Sequence, residues 1–400
     1  MDKIDQIFEN YVGSSLFLNK KVLQANYSPE TIPHRKEQIE AIAGILAPAL
    51  KGERVSNLFL YGNTGTGKTL SVQHVGNRIK EKINQIGEEK LKFLYVNCKL
   101  RKVADTEYRI IAELINALGE KVPSTGLPTD AVYNKFVEII DKEKQTIIIV
   151  LDEIDQAVKK IGDEFIYSLT RINSELKNTQ ISLIGISNNL NFMDDIDPRV
   201  RSSLGEEELV FPPYNALQLQ DILRERAKQS FREGIVEDGV IAKCAAFAAR
   251  EHGDARRALD LLRVAGELAE RAGEKKILLK HIDAAKEKIE KDRMLDLIIN
   301  QPKQFLLVLD SIVKLDERNK GGIIYTGDVY DKYLEICQKT KNENLTQRRV
   351  SDILADFDMF GLINTRVISK GRQGRTREIK LMLGDNIREK TKEILLNSIG

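Results

Sequence analysis

The sequence contains no tryptophan, only three cysteines and only four histidines in 400 residues. Cys98, Cys244 and Cys337 are far apart, odd in number and never in a CxxC pair. That argues against a disulfide framework or a zinc site and fits a reducing compartment. The scattered histidines add no metal cluster. No stretch approaches the run of about 20 apolar residues that a membrane helix needs. Met1 to Phe17 carries Asp2, Asp5 and Glu9 and no long apolar run, so it does not read as a signal peptide. An excess of one charge is missing too: 62 basic residues face 60 acidic ones, a net +2. A case for nucleic acid must therefore rest on local clustering. There is no internal repeat and no low-complexity tract. The expectation is a cytoplasmic protein without a membrane partner, built from two or three domains of roughly 100–200 residues.

What is present is periodicity. Short apolar runs at Asn57–Tyr61, Phe93–Asn97, Thr146–Leu151 and Ile181–Ile186 read as strands. The run at 146–151 is continuously apolar and β-branched, as expected of a strand buried on both faces of a parallel sheet. Between the strands lie helical patterns at Glu37–Leu50, Lys68–Ile86, Glu107–Leu118, Ala131–Glu143 and Phe165–Leu176. This alternation predicts a three-layer α/β domain with a parallel sheet over residues 1–210. After Pro212-Pro213 only helical periodicity continues, from Leu217 to Lys291, so 211–299 reads as a small all-α domain. Gln301-Pro302 opens a last domain, 300–400, of helices followed by a glycine-containing hairpin at Ile363–Leu383.

The sharpest motif is Gly62-Asn63-Thr64-Gly65-Thr66-Gly67-Lys68-Thr69, a complete P-loop pattern between a strand and a helix. Glycines let backbone N–H groups turn inward onto phosphates, and the helix N-terminus favours negative charge. Lys68 is placed to reach the β- and γ-phosphates of ATP, and Thr69 to bind Mg²⁺. Downstream, the strand at 146–151 delivers Asp152 and Glu153 at its C-terminal end. There Asp152 would hold the Mg²⁺ shell and Glu153 would polarise the attacking water. The next strand ends in Asn188-Asn189, whose amide could place that water, Asn188 being preferred. Arg199 and Arg201 are candidates for an arginine finger supplied to another subunit, with the choice between them open. Gly253-Asp254-Ala255-Arg256 opens a helix whose apolar face runs through Ala258, Leu261, Leu262, Ala265 and Leu268. Arg256 lies off that face and is a candidate lid arginine for the γ-phosphate.

In the last domain, Tyr325-Thr326-Gly327-Asp328 opens one helix, and Thr346 caps a second that buries Val350, Ile353, Leu354, Phe357 and Phe360. Arg348 and Arg349 point the other way, as a recognition helix requires. Arg366 to Lys380 then holds six basic residues and one acidic one, net +5 in fifteen. Arg366, Lys370, Gly371, Arg372, Gln373, Gly374, Arg375 and Arg377 make a basic hairpin suited to a phosphate backbone or minor groove. Helix-turn-helix plus basic wing is the winged-helix arrangement.

A P-loop, an Asp-Glu strand end, a polar strand end and a Gly-Asp-Ala-Arg helix, in this order, resemble the AAA+ ATPases. The expected fold is thus an α/β P-loop AAA+ core, an all-α lid and a C-terminal winged helix. The resemblance assigns Arg256 as the sensor-two arginine and places the segment Ile32 to Gln38, with Pro33 and Arg35, near the adenine. Leu345 to Asp352, Gly361-Leu362-Ile363 and Gly371 to Thr376 resemble the archaeal replication initiators, related to the largest origin-recognition subunit and to the cell-division-cycle helicase loader. That resemblance covers about Pro33 to Leu383. It implies binding of double-stranded origin DNA, recruitment of the replicative minichromosome maintenance helicase, cooperation with paralogous initiator subunits and a nucleoid-associated location. It also implies a second DNA-contacting insertion between the strands ending at Asn97 and beginning at Thr146. Where the family's wing tip often carries an aromatic, this chain has Gln373. No pore-loop aromatic motif stands out, so hydrolysis of ATP to ADP is expected to be slow and switch-like. Two other readings stay open: a nucleotide-gated transcription regulator, and a remodelling or clamp-loading ATPase whose winged helix grips protein.

Overall fold

The computed structural model describes residues 15–86, 90–99, 106–123, 126–319, 321–369 and 375–399. The chain divides into two compact units, residues 1–282 and 283–400.

The first unit is built on five parallel strands, β1 (Leu58–Tyr61), β2 (Leu91–Asn97), β3 (Gln145–Asp152), β4 (Thr179–Ser187) and β5 (Glu207–Val210). Their order across the sheet is β2-β3-β4-β1-β5. Every residue of β3 is buried. Alternation explains why its apolar run is unbroken: Ile147, Ile149 and Leu151 enter a core with the helices Glu107–Ala117 and Thr129–Ile140. Ile148 and Val150 point the opposite way, into a core with the helices Lys36–Leu46 and Lys68–Ile86. The P-loop helix offers that core Val72, Val75 and Ile79, spaced three and four residues apart.

The lid consists of the helices Ala216–Ser230, Val240–Arg250 and Ala255–Arg271. Asn215 and Gln218 form a reciprocal capping box at its start. The segment before the first helix packs on this lid. Leu16 N–H and Ser15 Oγ donate to Glu270 at 2.8 and 2.9 Å, Leu18 N–H donates to the Ser230 carbonyl at 2.8 Å, and the Phe17 and Phe231 rings lie 4.7 Å apart.

Two expectations needed correction. The helix expected over Glu37–Leu50 ends at Leu46 and continues as a 3₁₀ turn, Ala47–Lys51, because Pro48 has no N–H for an α-helical bond. The helix expected at Phe165–Leu176 is shorter, Glu164–Arg171, with a separate helix, Ile154–Ile161, directly behind the strand-end carboxylates. Strand β5 was not foreseen.

The helix Leu279–Ile299 leads into the second unit. There the helices Lys303–Arg318, Thr326–Lys339 and Gln347–Met359 precede the hairpin β7 (Ile363–Ser369) and β8 (Arg375–Leu381), with β6 (Ile324–Tyr325) on the other side of β8. Thr346 accepts the Arg349 N–H and caps the helix Gln347–Met359, whose Val350, Ile353, Leu354 and Phe357 are buried. This is a winged helix, closed by a further helix, Asp385–Ile399. The α/β core with parallel sheet, the helical lid and the winged helix are the fold class the sequence indicated.

Candidate nucleotide site and nucleic-acid interface

Between β1 and the helix Lys68–Ile86, the P-loop closes where side chains cannot go. Gly65 has φ +67°, and a β-carbon there would lie 1.7 Å from Asp254 Oδ1. One on Gly62 would lie 2.3 Å from the Phe211 carbonyl oxygen. The loop therefore sits tight against both the last strand's exit and the lid. Lys68 Nζ is held inside it, donating to the carbonyls of Gly62 (2.7 Å) and Asn63 (2.8 Å) and to Asn188 Oδ1 (3.0 Å). Burial pushes its pKa down to about 8, against the pull of Asp152 and with the help of Arg256.

Asp152 ends β3. Its Oδ2 accepts the hydroxyls of Thr69 at 2.9 Å and Tyr95 at 2.5 Å, and its Oδ1 accepts the Glu153 N–H at 2.9 Å. Hydroxyl and carboxylate oxygens side by side are a hard donor set of the kind Mg²⁺ takes together with substrate phosphates. Glu153 sits in the left-handed region, φ 54°, and its carboxylate meets Lys99 Nζ at 3.2 Å. Asn188 and Asn189 separate clearly. Asn188 faces Lys68, and its N–H meets the buried Asp155 at 3.4 Å. Asn189 Oδ1 instead caps a local turn through the Asn191 N–H at 3.0 Å.

The lid closes on the same loop. Asp254 caps the helix Ala255–Arg271, accepting from Arg256 N–H at 2.7 Å and Arg257 N–H at 3.3 Å, while Thr64 Oγ1 donates to its other oxygen at 3.2 Å. Ala255 N–H reaches the Gly65 carbonyl at 3.2 Å. Arg256 is exposed to the cavity this encloses, whereas Arg263 farther along pairs with Asp260 and Glu267. The cavity, of about 440 Å³, is lined by Gly65 to Thr69, Asp152, Glu153, Asn188 and Arg256 at one end. Tyr27, Ile32, Pro33, Ile222 and Leu259 give the other end apolar walls suited to a base. Thr31 bonds Glu225 at 2.9 Å, and the buried Arg226 lies over the Tyr27 ring at 4.8 Å, so this wall is tied to the lid.

Three expected site residues stand elsewhere. Arg35 is buried and does not line the cavity. It donates to the carbonyls of Thr66 (2.8 Å), Pro212 (2.5 Å) and His34 (3.1 Å) and stacks on Tyr214 at 3.8 Å, bracing the P-loop from behind. Arg199 pairs with Asp197 and Arg201 with Asp194, both at 3.0 Å on the exposed surface away from the cavity of their own chain. Sequence reading assigned no role to Tyr95, Lys99, Asp155 or the wall from Gln24 to Thr31. Asp155 closes the stretch that begins at Asp152, and a tyrosine two residues before a strand end on the sheet's ligand side was a usable signal.

In the winged helix, Arg348 and Arg349 project from the exposed first turn of the helix Gln347–Met359, with Arg349 loosely paired to Asp352 at 3.7 Å. Arg366 is exposed on β7 opposite Glu378, and Arg375 opens β8. Arg377, expected at DNA, is half-buried and donates to the Ser351 carbonyl at 3.1 Å, fastening the wing to that helix. Lys370, Gly371, Arg372, Gln373 and Gly374 lie outside the described residues. The interval in which the DNA-contacting insertion was expected holds the helices Glu107–Ala117 and Thr129–Ile140.

Comparison with known proteins places this arrangement. Residues 53–193 match the AAA domain, 220–287 the Cdc6 AAA+ ATPase-type lid domain and 296–391 the CDC6 C-terminal winged-helix domain. An ORC1-type DNA replication protein of Thermococcus onnurineus is 52% identical over 383 residues, covering 94% of this chain and 91% of that protein. The chain belongs to the ORC1-type DNA replication proteins. ORC1-type DNA replication protein 1 of Methanosarcina acetivorans is 48% identical, covering 98% of this chain and 94% of that protein. The structure of Aeropyrum pernix ORC1 in complex with DNA superimposes with a TM-score of 0.85 at 43% identity, covering 96% of this chain and 99% of that one. Membership of the AAA+ ATPases implies nucleotide binding and hydrolysis. Among the described residues no helix is long and apolar enough to cross a membrane.

Proposed function

We propose that the protein is an ATP-dependent initiator that binds origin duplex DNA through its winged helix and recruits or loads the replicative minichromosome maintenance helicase. The observation that carries the nucleotide half is the joint between P-loop and lid: Asp254 caps the lid helix and bonds Thr64, while Arg256 enters the same cavity. In the proposed cycle, Lys68 and the loop N–H groups hold the β- and γ-phosphates, and Thr69 and Asp152 hold Mg²⁺. Glu153 activates water beside Asn188. Arg256 senses the γ-phosphate, and its loss relaxes the lid. Arg199 or Arg201 would complete the site of a neighbouring initiator subunit, in keeping with their surface positions. Glu153's ion pair with Lys99 supports slow, switch-like hydrolysis, because a carboxylate engaged by a cation is a poorer base.

For the DNA half, the support is the exposed Arg348 and Arg349 on the first turn of the second helix, the basic wing, and the likeness to an ORC1 whose structure holds DNA. The test is duplex binding by wild type, Arg348→Ala/Arg349→Ala and Arg372→Ala/Arg375→Ala, on an origin fragment from the source genome and a random duplex. Preference for the origin, with a loss of about 1–3 kcal/mol per deleted base contact, is expected. Equal and weak binding of both duplexes by all three proteins overturns the reading and makes the winged helix a protein-binding module.

A further inference from the structure

We propose that the AAA+ unit carries a second phosphate-binding site, at the end of the sheet opposite the nucleotide, which contacts the backbone of DNA. It is a cavity of about 580 Å³ formed where the strands begin. Lys51 and Arg54 precede β1, Lys90 precedes β2, Lys144 precedes β3 and Lys177 precedes β4, and all five line it. Strand β3 spans the distance from this cavity to Asp152, roughly 25 Å at about 3.3 Å per residue. The two cavities share no lining residue.

The charge is one-sided. Among the described lining residues there are five cations and no carboxylate. Arg54 is paired, to Glu206 at 3.0 Å, and Lys177 faces the Asp141 carboxylate, but Lys51, Lys90 and Lys144 have no carboxylate partner among the described residues. The nearby Asp141 accepts the backbone N–H groups of Lys177, Asn178 and Thr179 at 2.7–3.1 Å, and against burial these bonds and the Lys177 charge hold its pKa low, so it offsets one of the five cations. In a chain with a net charge of only +2, three ammonium groups without a carboxylate partner around one concavity make a focused positive field.

The remaining lining chemistry narrows the ligand. Asn173 is consumed by both backbone groups of Ile181, Gln145 donates to the Ile140 carbonyl and Asn178 to the Asp141 carbonyl. Few amides are left to read a specific polar ligand or a peptide backbone. No aromatic residue lines the cavity, so nothing there would stack a base. Flexible ammonium groups acting as point charges suit phosphates whose spacing, not identity, is recognised. The ligand class is therefore a run of phosphates. Taking DNA as their source rests on the initiator reading, whereas the charge arrangement does not.

The test compares the full chain with a Lys90→Ala/Lys144→Ala/Lys177→Ala variant, both saturated with ADP so that the P-loop is filled. Unchanged ADP affinity establishes that the unit is folded. Affinity for a 40-base-pair random duplex is then measured from low to moderate salt, beside tripolyphosphate and a polyglutamate peptide. The expected result is a log–log salt slope shallower by about 2 to 3, at about 0.9 per lost phosphate contact, with the origin-to-random ratio unchanged. If the duplex slope holds but tripolyphosphate binding is lost, the phosphate chemistry stands and its source is a free oligophosphate. If neither changes, or only polyglutamate binding falls, the proposal is overturned. Failure of the initiator reading would show separately, as the absence of origin preference in the wild type.

Discussion

The joint between P-loop and lid can be broken from either side, and the two breaks should interact. Alanine at position 65 places a β-carbon 1.7 Å from Asp254 Oδ1 and 2.3 Å from Asp254 Cγ, so either the loop or the lid cap must move. The left-handed backbone there, φ +67°, adds about 1–2 kcal/mol for any residue with a β-carbon. Together these imply a loss of at least about 2 kcal/mol in nucleotide binding, some 30-fold. Asp254→Ala removes the three nearest atoms, Oδ1, Cγ and Oδ2, all of which lie beyond its own β-carbon. It also loses a helix N-cap and the bond from Thr64, costing about 1 kcal/mol each. In the double variant the clash with the Asp254 carboxylate is gone, and the backbone strain, the lost cap and the lost Thr64 bond remain. Its defect should fall short of the sum of the single defects by about 1 kcal/mol or more. The assay is titration with a fluorescent ATP analogue, with thermal unfolding of each full-length variant alongside. Defects that add within about 0.5 kcal/mol would refute the idea that the lid cap rests on the P-loop.

Glu153→Gln should retain ATP affinity and lose measurable turnover, read by nucleotide titration and phosphate release; retained turnover would remove Glu153 from the role of base. Lys99→Ala should raise turnover, but by no more than about fivefold, because Lys99 is 67% exposed and such pairs are worth only about 0–1 kcal/mol. A fall in turnover on Lys99→Ala would show that the lysine assists catalysis instead of restraining Glu153. Arg35→Lys should lower the unfolding free energy by about 2–4 kcal/mol, since one ammonium cannot reproduce a buried fork on three carbonyls and a stack on Tyr214. Denaturant unfolding measures this, and a loss below 0.5 kcal/mol would mean that the P-loop needs no support from behind.

What was legible in the sequence was whatever a contiguous stretch encodes. The fold class could be read because β3 is apolar from Ile147 to Leu151 and its neighbours alternate with amphipathic helices, signals that are local in the chain. Strand β5 was illegible for the complementary reason: Glu207, Glu208 and Val210 are exposed, so no hydrophobic pattern marks them, and they become a strand only by pairing with β1. The same division runs through the site. Gly62 to Thr69 is one uninterrupted motif, and Asp152 ends a strand that announces itself. Asp254 and Thr64 are 190 residues apart, and nothing in either neighbourhood names the other. Arg35 and Arg377 show the limit of reading residue type alone. Arg35 was placed near the adenine by the family resemblance of its segment and Arg377 at DNA as part of the basic wing, yet each is turned inward onto backbone carbonyls, of Thr66 and of Ser351. An arginine's fork satisfies orphan carbonyls as readily as phosphates. Which partner it takes is decided by whether packing leaves it buried, as at Arg35, or exposed on a helix's first turn, as at Arg348. Charge clusters in a sequence therefore give the number of available cations. The fold decides how many remain to meet DNA.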